Sequence, residues 1–206
     1  MKAKLDKERP APTNPSADAA RHTDQLCDYE MLPQLARRTV DTYVRERRVI
    51  ASPEFPPESP LHQPAACFVS IKTDDGDLRG CIGTIEPVYP TLAEELIANA
   101  ISAATRDPRF PPVQVAELPH LCFSVDVLAA PESAELEDLD PENYGVIVTD
   151  ETGRQRGLLL PAIEGVETVM QQVSIAARKA GLRPDSPLKL YRFRVQRFGE
   201  QADTAQ

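Results

Sequence analysis

Two β-type runs, residues 66–72 and 78–85, are separated only by Thr73-Asp74-Asp75-Gly76-Asp77, and this spacing constrains the fold more than any other feature of the chain. A short segment of turn-forming residues suits a tight reversal, whereas parallel strands need a long crossover. The runs therefore predict an antiparallel hairpin. Its second arm carries Leu78-Arg79-Gly80-Cys81-Ile82-Gly83, in which a thiol follows one glycine and precedes another. Glycine reaches backbone angles closed to other residues and lets a ligand or a second backbone approach closely. Cys81 is thus a candidate nucleophile.

The rest of the chain alternates helical stripes with further strands. From about Tyr29, Leu32, Leu35, Ala36, Thr39, Val40, Tyr43 and Val44 share one helical face, and the proline-rich segment from Ser52 to Pro64 follows as a linker or packed loop. Thr91 and Glu94 have capping-box spacing ahead of Leu92, Leu96 and Ala100, so a helix is expected that stops before Asp107-Pro108. Leu121 to Leu128 alternates as a half-buried strand. Residues 131–142 carry six acids and no base and read as a solvated loop between two lobes. Tyr144 to Thr149 and Arg156 to Leu160 predict a second hairpin, Val166 to Ala180 a helix closed by Gly181, and Leu188 to Phe198 a last strand. Most connections suit antiparallel pairing, so the expected class is α+β: a two-lobed single domain with antiparallel sheets flanked by helices.

Composition narrows the function classes. The chain has 206 residues and 41% hydrophobic content, enough for one core or two small lobes, and its formal net charge of -9 gives no overall attraction for nucleic acid or an anionic bilayer. It contains no long apolar span and no hydrophobic secretory core at the N-terminus, which points to the cytoplasm. Residues 1–25 lack apolar periodicity and are expected to be a disordered tail, with the domain at 26–199 and a short tail at 200–206. Cys27, Cys67, Cys81 and Cys122 include no C-x-x-C pair, so metal binding through cysteine is not expected, and Cys67 and Cys122 read as small core residues; no cofactor is assigned.

A catalytic cysteine acts as the thiolate and needs a neighbouring cation, helix N-terminus or base. Arg79 shares a strand face with Cys81 provided no bulge intervenes at Gly80. The plainer reading is that the glycines permit close packing and Cys81 fills a small core site. Of the histidines, His62 is the best placed to serve as a base, although a loop histidine is the commoner outcome. Arg106, Asp107 and Arg109 form a second polar cluster, either a loop staple or a carboxylate holding one arginine for a ligand. Seven basic residues lie between Arg178 and Arg197 against the single acid Asp185; their alternation with Tyr191 and Phe193 favours a solvated strand face over an RNA platform.

The hexapeptide at 78–83, with Asp107-Pro108-Arg109-Phe110-Pro111-Pro112, Ser124-Val125-Asp126-Val127-Leu128, Gly157-Leu158-Leu159-Leu160-Pro161 and Lys179-Ala180-Gly181-Leu182, closely resembles the AMMECR domain family, of the AmmeMemoRadiSam system protein A type. The resemblance spans about Glu30 to Phe198. It implies a larger and a smaller lobe with antiparallel sheets, a functional surface at Leu78 to Gly83, and a pathway shared with a Memo-type protein and a radical S-adenosylmethionine enzyme. The chain has no C-x-x-x-C-x-x-C cluster motif of its own. Some relatives carry cysteine just before the Lys-Ala-Gly motif, where this chain has Ala177, a departure that argues against a two-cysteine mechanism here.

These observations lead to an expected cytoplasmic enzyme or enzyme-system component that binds a small polar or anionic ligand near Cys81. Arg79, Gly80, Gly83, Asp107 and Arg109 would form the binding residues. A non-catalytic interaction scaffold is the alternative, and an RNA-binding protein a weaker one.

Overall fold

A computed structural model describes residues 28–183 and 186–200. The expected tail at residues 1–25, with Cys27 and the last six residues, lies outside the described residues. The fold is α+β, with two four-stranded antiparallel sheets among the described residues. The first sheet has the order β2-β1-β3-β8, where β1 is Cys67–Thr73, β2 Leu78–Gly83, β3 Leu121–Leu128 and β8 Val195–Gly199. The second has the order β4-β7-β5-β6, with β4 Glu132–Ala134, β5 Gly145–Thr149, β6 Arg156–Leu159 and β7 Lys189–Phe193.

Helices α1 (Leu32–Glu46) and α2 (Leu92–Thr105) cover one face of the first sheet. Their apolar stripes meet the inward residues Cys67, Val69, Ile71, Leu121, Phe123, Val125 and Val127, so strand alternation divides that sheet into an oily face and a polar one. Thr91 caps α2 as its spacing predicts, accepting from the Glu94 amide. Helix α3 (Val169–Lys179) covers the second sheet through Val173, Ala176 and Ala177 against Val146, Val148 and Leu159. Gly157 allows this close approach, because a Cβ there would collide with the Ala176 carbonyl. A third cluster, built on Ala66, Leu128, Ile147, Leu158 and Phe193 with Phe68 against it, joins the sheets.

Three expectations change. Residues 131–142 are not merely a solvated loop: Glu132–Ala134 adds a strand beside β7, and Leu136–Asp138 forms a 3-10 turn. The acids dominate the composition, but Ala134 and Leu139 between them are buried in the second core. The last strand is two, because the chain leaves the second sheet after Phe193 and enters the first at Val195. Helix α3 starts at Val169, where Thr168 and Gln171 make a reciprocal capping box.

Candidate functional site

The hexapeptide forms an edge strand, and its position explains its glycines. The face of β2 that bears Gly80 lies against α2, where a Cβ on Gly80 would fall inside contact distance of the Ala103 carbonyl oxygen. A Cβ on Gly83 would enter the Phe68 ring. Both positions are therefore closed to larger side chains by neighbouring atoms.

Cys81 alternates to the polar face, opposite Ser70 of β1. Its amide and carbonyl point outward, so the Ser70–Cys81 pair is the non-hydrogen-bonded kind, in which side chains approach most closely. The Ser70 hydroxyl accordingly donates to Cys81 Sγ at 3.2 Å. The thiol is half-buried.

The outward backbone groups of an edge strand need partners. Here one side-chain pair supplies both. Asp107 Oδ2 accepts the Cys81 amide at 2.8 Å, and Arg109 Nη2 donates to the Cys81 carbonyl at 3.3 Å. Arg109 also grips Asp107 in a fork, Nε to Oδ1 at 2.9 Å and Nη2 to Oδ2 at 2.6 Å. The local sequence builds this unit: the chain turns at Asp107-Pro108, with the Phe110 amide donating to the Asp107 carbonyl at 3.2 Å and the Arg109 amide to Asp107 Oδ1 at 3.1 Å. Asp107 is buried, and the Arg109 guanidinium with the donated amides holds its carboxyl well below the usual carboxylate range. The Arg109 side chain remains 52% exposed.

Arg79 is placed differently. The β1–β2 register slips between Ile71–Gly80 and Lys72–Leu78, which leaves Arg79 as the extra residue of a bulge. Its Nε and Nη2 meet Glu117 at 2.7 and 3.1 Å, and its side chain is only 12% exposed. Arg79 and Arg109 both lie over the Phe110 ring, at 5.9 and 5.5 Å from its centroid. The bulge thus directs Arg79 into the loop that carries Asp107 and Arg109.

Glu95 of α2 fixes the loop that follows β2. This fully buried carboxylate accepts from Thr84 Oγ1 at 2.6 Å and from the Val88 and Tyr89 amides at 2.7 and 2.8 Å. Asn99, one helical turn on, donates to the Cys67 carbonyl at 3.0 Å. A buried glutamate inside an amphipathic helix is a readable signal, but its partners come from another element.

Two cations join the site that sequence reasoning did not select. Lys179, at the end of α3, lies within Coulombic reach of Cys81 and Arg109; burial depresses its ammonium, Cys81 opposes that shift and Arg109 adds to it. Arg197 of β8 forms a fork on the buried Asp126, at 2.6 and 2.8 Å, and also lies within Coulombic reach of Cys81. Only the motifs containing Lys179 and Asp126 hinted at either. Arg106 is exposed at the end of α2 and borders a different cavity, of about 590 Å³.

No histidine among the described residues meets the thiol. His62 Nε2 is at 3.1 Å from the Phe55 carbonyl, and His120 Nδ1 is at 2.9 Å from Asp74. Cys67 is a core residue, its thiol pushed up to about 12 by burial. Cys122, expected in the core, is exposed because it shares the polar strand face with Ser124. Among the described residues no helix is long and apolar enough to cross a membrane.

The AMMECR1 family model matches residues 33–198. A Thermotoga maritima protein is 48% identical over 165 residues, covering 79% of this chain and 94% of that protein. A Clostridium acetobutylicum protein is 47% identical over 168 residues; the match covers 81% of this chain and 35% of that longer protein. The crystal structure of an uncharacterised protein from Pyrococcus horikoshii is similar with a TM-score of 0.76 at 33% identity, covering 87% of this chain and 94% of the other.

Proposed function

This chain belongs to the AMMECR1 family, and from the arrangement around Cys81 we propose that it is a cytoplasmic enzyme or enzyme-system component that binds a small polar or anionic molecule at the outer face of the hexapeptide. The observation that carries the reading is the Asp107–Arg109 unit. A buried carboxylate fixes the Cys81 backbone and holds a half-exposed guanidinium beside it, so a charged donor is oriented before any ligand arrives. Arg109 meets the ligand, Asp107 orients Arg109, and Gly80 and Gly83 set the height of the strand. Arg79 supports the wall through Glu117 rather than facing the ligand. Cys81 is the thiol presented to it.

A Memo-type protein and a radical S-adenosylmethionine enzyme are the proposed partners, on the strength of the family resemblance. The test is a reconstituted three-protein system. Loss of turnover in Cys81→Ser with a folded protein supports a catalytic thiol. Unchanged turnover rules one out and leaves Cys81 as a structural part of a binding surface. If Cys81→Ala preserves partner binding and Arg109→Glu abolishes it, the chain is a scaffold. RNA binding is less well supported, because Arg192 is engaged by Glu132 and the Asp138 carbonyl and Arg194 by the Tyr144 hydroxyl.

A further inference from the structure

The polar face of the first sheet carries a row of small side chains between two similarly built arginine forks. Across the strands, Cys81 pairs with Ser70 and Ser70 with Ser124, so the row spans roughly 10 Å at the usual strand spacing. Cys81, Ser70 and Ser124 are each partly exposed. Arg109, anchored by Asp107, lies beyond the Cys81 end; on the far side the row meets Gly199 of β8, and Arg197, anchored by Asp126, stands on the same face two residues earlier in that strand. Both carboxylates are buried, and both guanidinium groups are more than half exposed.

The way each fork is used matters. Arg109 and Arg197 each spend Nε and Nη2 on their aspartate, and Nη1 of each makes no hydrogen bond among the described residues. Lys179 likewise has no hydrogen-bond or salt-bridge partner among the described residues, and it comes from the other lobe. Two of the three positive charges are balanced by Asp107 and Asp126, so Lys179 leaves the group with one uncompensated charge. A structural staple needs only the inner edge of each guanidinium; a spare donor on an exposed guanidinium is what an anion uses.

We propose that the ligand is a small molecule bearing two anionic groups, phosphate or carboxylate, which lies over Ser70 and Ser124 with one group held by Arg109 and Lys179 and the other by Arg197. This inference rests on the proposed ligand site at Cys81 and gives it a substrate class. Closure of the ligand between lobes follows from Lys179, the only member contributed by the second lobe.

The experiment measures iodoacetamide alkylation of Cys81 in the native full chain, resolved by peptide mass mapping. Inorganic pyrophosphate and glutarate are the probes, each against sodium chloride at equal ionic strength. The expected result is that a probe slows alkylation of Cys81 beyond the chloride control while alkylation of Cys122 is unchanged. Protection by pyrophosphate alone assigns phosphate, and protection by glutarate alone assigns carboxylate. Lys179→Gln raises the probe concentration for half protection by about ten-fold, the loss of one charge-assisted contact. Arg197→Lys, which keeps a charge for Asp126, weakens protection as well. If Cys81 is alkylated but neither probe protects it, or protection is the same in both variants, the dianion assignment is overturned and the site itself stands. If native Cys81 is not alkylated at all, the ligand site falls and this assignment with it.

Discussion

Asp107 Oδ2 accepts the amide of Cys81 at 2.8 Å, across 26 residues of chain, and so fixes a backbone group of the hexapeptide that the sheet leaves open. The same carboxylate holds Arg109, which returns a donor to the Cys81 carbonyl. Edge protection and the orientation of Arg109 are therefore one structural unit.

Asp107→Asn keeps an acceptor for the amide but removes the charge that grips Arg109. It should cost about 1–2 kcal/mol in urea denaturation, with a larger loss in Asp107→Ala, where the amide is orphaned. Hydrogen exchange at the Cys81 amide should rise in the alanine variant and much less in the asparagine one.

The pH dependence follows from the same group. Its carboxyl is held far below the ordinary range in the folded state, so its contribution is fully present above the unfolded pKa and is lost as pH falls through the folded one. The stability gap between wild type and Asp107→Asn should stay constant from pH 5 to 8 and close below about pH 4, the unfolded aspartate range. A gap that widened in acid would contradict the assignment; thermal denaturation of both proteins across this range measures it.

Gly80→Ala places a Cβ against a helix carbonyl and should destabilise by about 1–3 kcal/mol, the usual cost of overpacking. Gly199→Ala, where a Cβ meets nothing, serves as the control and should stay within about 0.5 kcal/mol. Equal effects at the two positions would show that packing against α2 is not what selects glycine.

Glu95→Ala strips three donors of a buried partner and should cost about 2–4 kcal/mol. Faster exchange of the Val88 and Tyr89 amides would identify the loop after the hexapeptide as the part released.

Thiol mapping of the native protein should modify Cys122 readily and leave Cys67 untouched until unfolding, since Cys67 is buried with its thiol pushed up to about 12. Modification of Cys67 without unfolding would contradict its place in the core.

Much of the architecture is encoded by residues that are neighbours along the chain. Turn composition at 73–77 specified the β1–β2 hairpin, the Leu32 to Val44 stripe the first helix, and Thr91 with Glu94 the start of α2. Each depends on residues close in sequence, so periodicity and capping suffice. The sequence also marked the hexapeptide and Asp107 to Arg109 as unusual. How they combine is a matter of long-range packing. A single bulge turned Arg79 toward Glu117, and a 26-residue connection brought Asp107 to the open edge at Cys81. Lys179 and Arg197 reach the same face from α3 and β8. Their positions depend on strand order and on how the lobes pack, which are long-range properties that no local pattern carries.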